Sequence, residues 1–349
     1  MSDEEVAPSA TAGTGPARRA RTAPTIYDVA KLAGVAPSTV SRALSTPGRI
    51  NFRTEEKIQV AARELNYRPN PMARALPTGR SRTLGLLVAD ITNPTFFTAI
   101  RGAERAASAE GYTVILAESQ ESDLREAEAV ERIAPSVDGL VLVGSRLSDE
   151  EIVGLAESVP LVVINRRVKG IDDVVPVVGP GIDDALAHLS SLGHVSLAYL
   201  SGPTTSWMST ARWNHLLAAA PRYGMTVVEI GPNSPTVEGG AEIVPSLAAS
   251  GVTAVLAYND LVAIGAMREL RKIGLRVPED LSIVGFDDIF GSDFTSPPLS
   301  TIRTPLGLMG ERAVQRLLGV DGASTRNDDD LMTEFVARGS TGRPPADSA

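Results

Sequence analysis

With 349 residues, 43 % of them apolar and 21 % charged, the chain is too long for one compact core and has the balance of a soluble protein of two or three folded units. It contains no cysteine, which excludes disulfides and thiolate metal sites, and no apolar run reaches the roughly 18 residues that a membrane span needs. The net charge of −9 is segregated: residues 17–82 hold thirteen Lys and Arg against four Asp and Glu, whereas residues 83–349 hold twenty against thirty-five. One end attracts polyanions and the rest repels them.

Residues 1–23, rich in Ala, Thr, Pro, Gly and Ser, predict a disordered tail. Their acidic start, MSDEEVAPSA, lacks the apolar stretch of a secretory signal, so a cytoplasmic location is expected. Three helices are predicted between residues 24 and 70. Thr25 is a candidate cap for the first, with Ile26, Val29, Ala30 and Ala33 at helical spacing and Gly34 as its stop. Pro37-Ser38 opens the second, turning Val40, Ala43 and Leu44 inward, and the tight connection makes a helix-turn-helix pattern. Asn51 caps the third, which carries Glu55, Ile58, Ala62 and Leu65. Residues 71–82 read as a linker with a short helical stretch, Met72 to Leu76, too short to hold in water without support.

From Thr83 short apolar runs alternate with helical patterns, predicting an α/β body of parallel sheets covered on both faces. At least eight strand-like runs fit two doubly wound subdomains better than one. Polar residues follow these runs directly: Asp90, Asn93, Glu118, Asn165, Arg166, Ser201, Asn259, Asp260, Asp287 and Asp288. Ligands bind outside the carboxyl ends of strands in open α/β sheets, so these positions outline a cleft for a polar ligand. Asp and Asn there are equally ordinary caps and turn formers. His188, His194 and His215 lack metal-ligand spacing, and no nucleotide-binding or nucleophile-elbow motif is present, so neither enzyme chemistry nor a cofactor is implied.

The stretches TIYDVAKLAGVAPSTVSRAL and ELNYRPNPMARAL resemble the lactose/galactose repressor (LacI-type) family of bacterial transcription factors. The likeness continues through DITNPTFF, HLSSLGHVSLAYLSGP, VLAYNDLVAIGAMRELRKIGLRVPEDLSIVGFDD and PPLSTIR, covering about residues 25–340. It implies an N-terminal three-helix helix-turn-helix head, a hinge helix and a periplasmic-binding-protein-like body. The first subdomain is expected at about 83–175 and 303–325, the second at about 176–302 and 330–340, with a disordered tail at 341–349. The implied partners are double-stranded operator DNA, a small sugar-like effector and a second copy of the chain in a homodimer, with no membrane.

On the DNA side the resemblance assigns Pro37, Ser38 and Arg42 to base edges in the major groove, where Arg42 can contact guanine bidentately. Ser38 instead starts its helix in the bland reading. Thr25, Tyr27, Thr39, Ser41, Asn51 and Arg53 are candidates for phosphate contacts, with simple packing the alternative for Tyr27. Leu76 matches a leucine that wedges into the minor groove, flanked by Ala73 and Arg74, with a leucine docked on the body as the alternative. In the body, Arg212, Asn259 and Asp287 match effector-binding positions, Asp90 and Phe97 belong to the first-subdomain wall, and Trp207 offers an apolar platform. The chain departs from the family pattern at His215, usually Gly, and at Val177-Val178, usually Asp-Asn. An effector-independent architectural DNA-binding protein and a transport solute-binding protein are the competing readings; the second lacks its export signal.

Overall fold

The computed structural model describes residues 24–45, 48–67, 80–320 and 330–346. The described residues fall into two compact units, one ahead of Arg80 and one from Arg80 onward.

The first unit holds α1 (Ile26–Ala33), α2 (Pro37–Ser45) and α3 (Phe52–Glu64). Thr25 and Asp28 close a capping box: the Thr25 N–H and hydroxyl each donate to Asp28 Oδ2 at 2.7 Å. These bonds, led by the backbone one, hold the Asp28 carboxyl below its usual range. Gly34, at φ 67°, takes the left-handed conformation that ends α1. Val29, Val40 and Ile58, one from each helix, are fully buried and form the centre of a small core.

The second unit contains two sheets. The first, in the order β2-β1-β3-β4-β5, is wholly parallel and is built from β1 (Thr83–Val88), β2 (Thr113–Glu118), β3 (Gly139–Val143), β4 (Leu161–Ile164) and β5 (Asp172–Val174). Its helices are α4 (Thr95–Ala109), α5 (Asp123–Ile133) and α6 (Asp149–Ala156). The chain then crosses to α7 (Gly179–Leu192), β6 (Ser196–Leu200), α8 (Trp207–Ala219), β7 (Thr226–Ile230), α9 (Val237–Glu242), α10 (Val244–Ala249), β8 (Ala254–Ala257), α11 (Asp260–Lys272), β9 (Ser282–Asp287) and β10 (Ser300–Arg303). It returns to the first subdomain as α12 (Leu306–Leu318) and ends in the second with β11 (Glu334–Val336). The second sheet runs β11-β10-β9-β8-β6-β7, parallel except for β10–β11.

Strand alternation divides the core of each subdomain into two layers. Leu84, Leu86 and Val88 face α4 and α12, whereas Leu87, Leu140 and Leu142 face α5 and α6. Likewise Leu197 and Tyr199 pack under α7 and α8, and Ala198 and Leu200 under α10 and α11. The α4–α12 contact is so close that a Cβ on Gly102 would overlap the Gly307 carbonyl, and one on Gly310 the Ala99 carbonyl.

The expected disordered tail at 341–349 is corrected for residues 341–346, which are described. The Gly342 carbonyl accepts from buried His194 Nε2 at 2.9 Å and from Ser282 Oγ at 3.1 Å, and the Gly342 N–H donates to Ser282 Oγ at 3.0 Å. His194 Nδ1 faces the Thr253 hydroxyl at 2.7 Å. A carbonyl can only accept, so the ring carries its proton on Nε2. These bonds lace the C-terminal segment to the strands of the second sheet.

Candidate functional site

In the head, α2 exposes Ser38, Ser41 and Arg42, which share one face at three- and four-residue spacing. Pro37 and Thr39 are half-buried. Because α2 begins at Pro37, Ser38 is its second residue and not its cap. Tyr27 is 70 % exposed, so packing inside the head does not account for it. Thr25 and Asn51 are both engaged as caps, Asn51 Oδ1 accepting from the Arg53 N–H at 3.0 Å. Arg53 is exposed on the first turn of α3. The hinge assignments Ala73, Arg74 and Leu76 lie outside the described residues.

In the body, a cavity lies between the subdomains at the carboxyl ends of both sheets. Arg212 is its central cation. The side chain is 4 % exposed, and Nη2 stands 3.1 Å from Asp287 Oδ1. Nη1 donates to the Tyr258 carbonyl, and the guanidinium lies 3.6 Å from the centroid of the Phe286 ring. Asp287 adopts φ 102° and Asn165 φ 64°, both at strand ends facing the cavity. Side-chain-bearing residues held there cost on the order of 1–3 kcal/mol each and concentrate at functional sites. Asp288 turns the other way, accepting from Arg338 Nη2 at 2.6 Å and Arg303 Nε at 2.8 Å. Burial works against its charge, but those bonds hold its carboxyl below the usual range.

Three polar atoms at this cavity are buried without a hydrogen-bond partner: Thr95 Oγ1, Asn165 Oδ1 and Arg212 Nε. Leaving such atoms unmet is costly, which marks them as the positions where ligand groups would be matched. Trp207, Arg212, Asn259 and Asp287 all line the cavity. Asn259 is already committed to the fold, its Oδ1 accepting from the Val262 N–H at 2.9 Å and its Nδ2 donating to the Pro235 carbonyl at 3.0 Å.

The two residues read from the first-subdomain wall are placed elsewhere. Asp90 folds back on its own loop, accepting from the Thr92 N–H at 2.8 Å and hydroxyl at 2.6 Å. Phe97 is 45 % exposed, and its neighbour Phe96 faces the cavity. Sequence reasoning passed over Phe96, Thr95, Arg146 and Tyr258. Arg146 follows β3 and Tyr258 follows β8, so the strand-end rule could have found both.

The two departures from the family pattern have local explanations. Val177-Val178 supplies no capping side chain for α7, and Thr333 from the far crossover takes that place. Its hydroxyl accepts from the Gly181 N–H at 3.2 Å while donating toward the Val177 carbonyl at 3.0 Å. His215 Nε2 stands 3.1 Å from Asp183 Oδ1 beside Gly179, where a Cβ would crowd the ring. Among the described residues no group of three or more His, Asp or Glu could hold a metal ion. No helix among them is long and apolar enough to cross a membrane.

A three-helix head ahead of a two-subdomain body with a polar cleft defines a DNA-binding transcriptional regulator that answers to a small effector. Residues 25–70 match the bacterial regulatory proteins of the lacI family, and residues 186–341 match the periplasmic binding protein-like domain. The chain belongs to the lacI family. It is 34 % identical over 339 residues to the HTH-type transcriptional repressor CytR of Escherichia coli (strain K12), covering 93 % of this chain and 98 % of that one. It is 33 % identical over 299 residues to the ribose operon repressor of Bacillus subtilis (strain 168), covering 85 % and 91 %. The Lac repressor dimer bound to operator and the anti-inducer ONPF superposes with a TM-score of 0.80 at 27 % identity, over 92 % of this chain and all (100 %) of that one. The CelR–cellobiose complex superposes at 0.63 with 26 % identity, over 91 % and 99 %.

Proposed function

We propose that this repressor works as a cytoplasmic homodimer on a near-palindromic operator, and that an uncharged polar effector, a sugar or a related metabolite, controls its affinity for DNA. The Arg212–Asp287 pair carries the effector reading. Its two charges neutralise each other at the cavity wall, as do those of Arg146 and Glu121, so the wall presents hydrogen-bonding groups without a net charge to attract an ionic ligand. Thr95 and Asn165 would meet hydroxyl or N–H groups, while Phe96 and Trp207 offer apolar faces. The similar Lac repressor dimer on operator supports the assembly, and the cellobiose complex and the ribose operon repressor support the ligand class.

Arg42 and Ser38 would read base edges and Arg53, Tyr27, Thr39 and Ser41 would hold phosphates, with Leu76, Ala73 and Arg74 in the central minor groove. The chain acts by binding, and effector is expected to be recovered unconverted. The test is an operator mobility shift with ribose, cellobiose, cytidine, adenosine and their phosphorylated counterparts. One uncharged compound should change operator affinity by about 5–150-fold. A response confined to a phosphorylated compound would refute the ligand class, and no response to any metabolite would favour the architectural alternative.

A further inference from the structure

The chain coming from the head enters the body through a short turn that is held on several sides. Asp138, half-buried on the loop into β3, closes its carboxylate on three donors. Oδ1 accepts from the Ser81 N–H at 2.6 Å and the Ser81 hydroxyl at 2.9 Å, and Oδ2 accepts from the Arg82 N–H at 3.0 Å. The Arg82 carbonyl accepts from the Thr113 N–H at 3.0 Å, at the start of β2. Between these bonds Arg82 adopts φ 53°, in the left-handed region. A side-chain-bearing residue keeps such a conformation only where its surroundings dictate it. The Arg82 guanidinium supplies a further hold: Nη1 donates to the Glu110 carbonyl at 3.2 Å, and Cζ lies 5.6 Å from the centroid of the Tyr112 ring. Glu110 ends α4, so the cation sits at the negative end of that helix. None of these groups lines the effector cavity.

Hydrogen bonds to an ionised group are about twice as strong as neutral ones, and here one carboxylate accepts three of them from two consecutive residues. We propose that Asp138 and Arg82 form a socket that fixes the point at which the DNA-binding head is tethered to the body, and that operator affinity depends on it. The effective concentration of a tethered binding unit is set by the length and stiffness of its tether. Opening the socket adds Ser81 and Arg82 to that tether, and their backbone must be ordered again when both heads dock. This consequence rests on the homodimer proposed above, whose two heads share one operator; the socket itself is measured without DNA.

Trypsin cuts after arginine, so the Arg80–Ser81 and Arg82–Thr83 bonds bracket the socket in the full-length protein. Cutting at either bond, read by mass spectrometry, follows the fraction of molecules in which the turn is open. Asp138→Asn keeps an acceptor for Ser81 but turns an N–H toward the Arg82 N–H, and Asp138→Ala keeps no acceptor. Cutting should be slow in the parent and rise by about tenfold or more in both variants, most in Asp138→Ala. The DNA probe is an operator selected from random duplexes by the parent protein. Its affinity in a mobility shift should fall in the same order, by about tenfold for Asp138→Ala, with binding to scrambled DNA not weakened. Losing an acid beside the linker strengthens attraction to any DNA, so a fall on the operator is not a charge effect. Ser81→Ala, which removes the hydroxyl and leaves the carboxylate, should act in the same direction and decides the matter if the Asp138 variants do not fold. Cutting that is unchanged, or folded variants that bind operator as tightly as the parent, would overturn the socket. Failure of the homodimer reading would show separately, as a monomeric parent in sedimentation velocity while cutting still responds to the substitutions.

Discussion

Arg212 and Asp287 meet 3.1 Å apart, with side chains only 4 % and 10 % exposed. Removing one member of a buried pair leaves the other charge uncompensated, which costs about 3–5 kcal/mol. Asp287→Ala should therefore lose about that much in urea denaturation, and the folded fraction should bind operator yet fail to respond to effector. Loss of operator binding by folded Asp287→Ala would make the pair a purely structural element.

Arg42 stands exposed on α2 with Ser38 and Ser41. Its truncation to alanine should weaken binding to the cognate operator by about 1–3 kcal/mol and relax preference at one base position. Arg53→Ala should instead weaken binding to all sequences alike and flatten the dependence on salt by about one unit of slope. Equal effects of Arg42→Ala on cognate and scrambled DNA would move Arg42 from base reading to phosphate contact.

Burial holds the His194 ring below its ordinary value, with the Gly342 carbonyl pulling the other way. The unfolded chain then binds a proton more readily than the folded one. The stability this ring contributes is full above its unfolded pKa of about 6.5 and is lost as pH falls. Burial shifts His188 in the same direction, so both act in one window. His194→Gln should flatten the pH dependence of unfolding below about 6.5; an unchanged slope would assign the effect elsewhere.

Asp260 behaves oppositely. It is fully buried, and desolvation pushes its carboxyl up to about 8, against bonds from the Thr301 hydroxyl at 2.6 Å and the Ile289 N–H at 2.8 Å. The folded state keeps the proton that the unfolded state releases near pH 4, so this contribution to stability declines as pH rises from about 4 to about 8 and is gone above that. Asp260→Asn, a permanent mimic of the protonated acid, should abolish that decline and match or exceed the parent above pH 8. A large loss of stability at neutral pH would show that the ionised carboxylate is required.

The elements with strong local signals were legible. Thr25, Gly34 and Asn51 bound the head helices through capping and a left-handed turn, which depend on neighbouring residues alone. Strands β5 and β10 escaped notice because Asp172–Val174 and Ser300–Arg303 are short and polar, and are strands by virtue of the sheet beside them. Assigning Phe97 to the cleft failed by one residue, which on a helix turns a side chain by about 100°. Asn259 shows that a cap and a cavity-lining residue can be one side chain. Arg146 and Tyr258 follow strands of different sheets, and nothing local to either residue announces that both line one cavity.

The seating of α12 against α4 has a consequence for biogenesis. Residues 83–174 form every strand of the first sheet, yet one face of that sheet is sealed by a helix made more than a hundred residues later. During synthesis α4 can cover only part of that face, and the rest stays exposed until the second subdomain has emerged and the chain has crossed back. Contacts so distant in sequence slow folding and expose the nascent chain to aggregation. A chain cut after Arg303 would therefore leave the first subdomain unfinished, even though the sheet itself is complete.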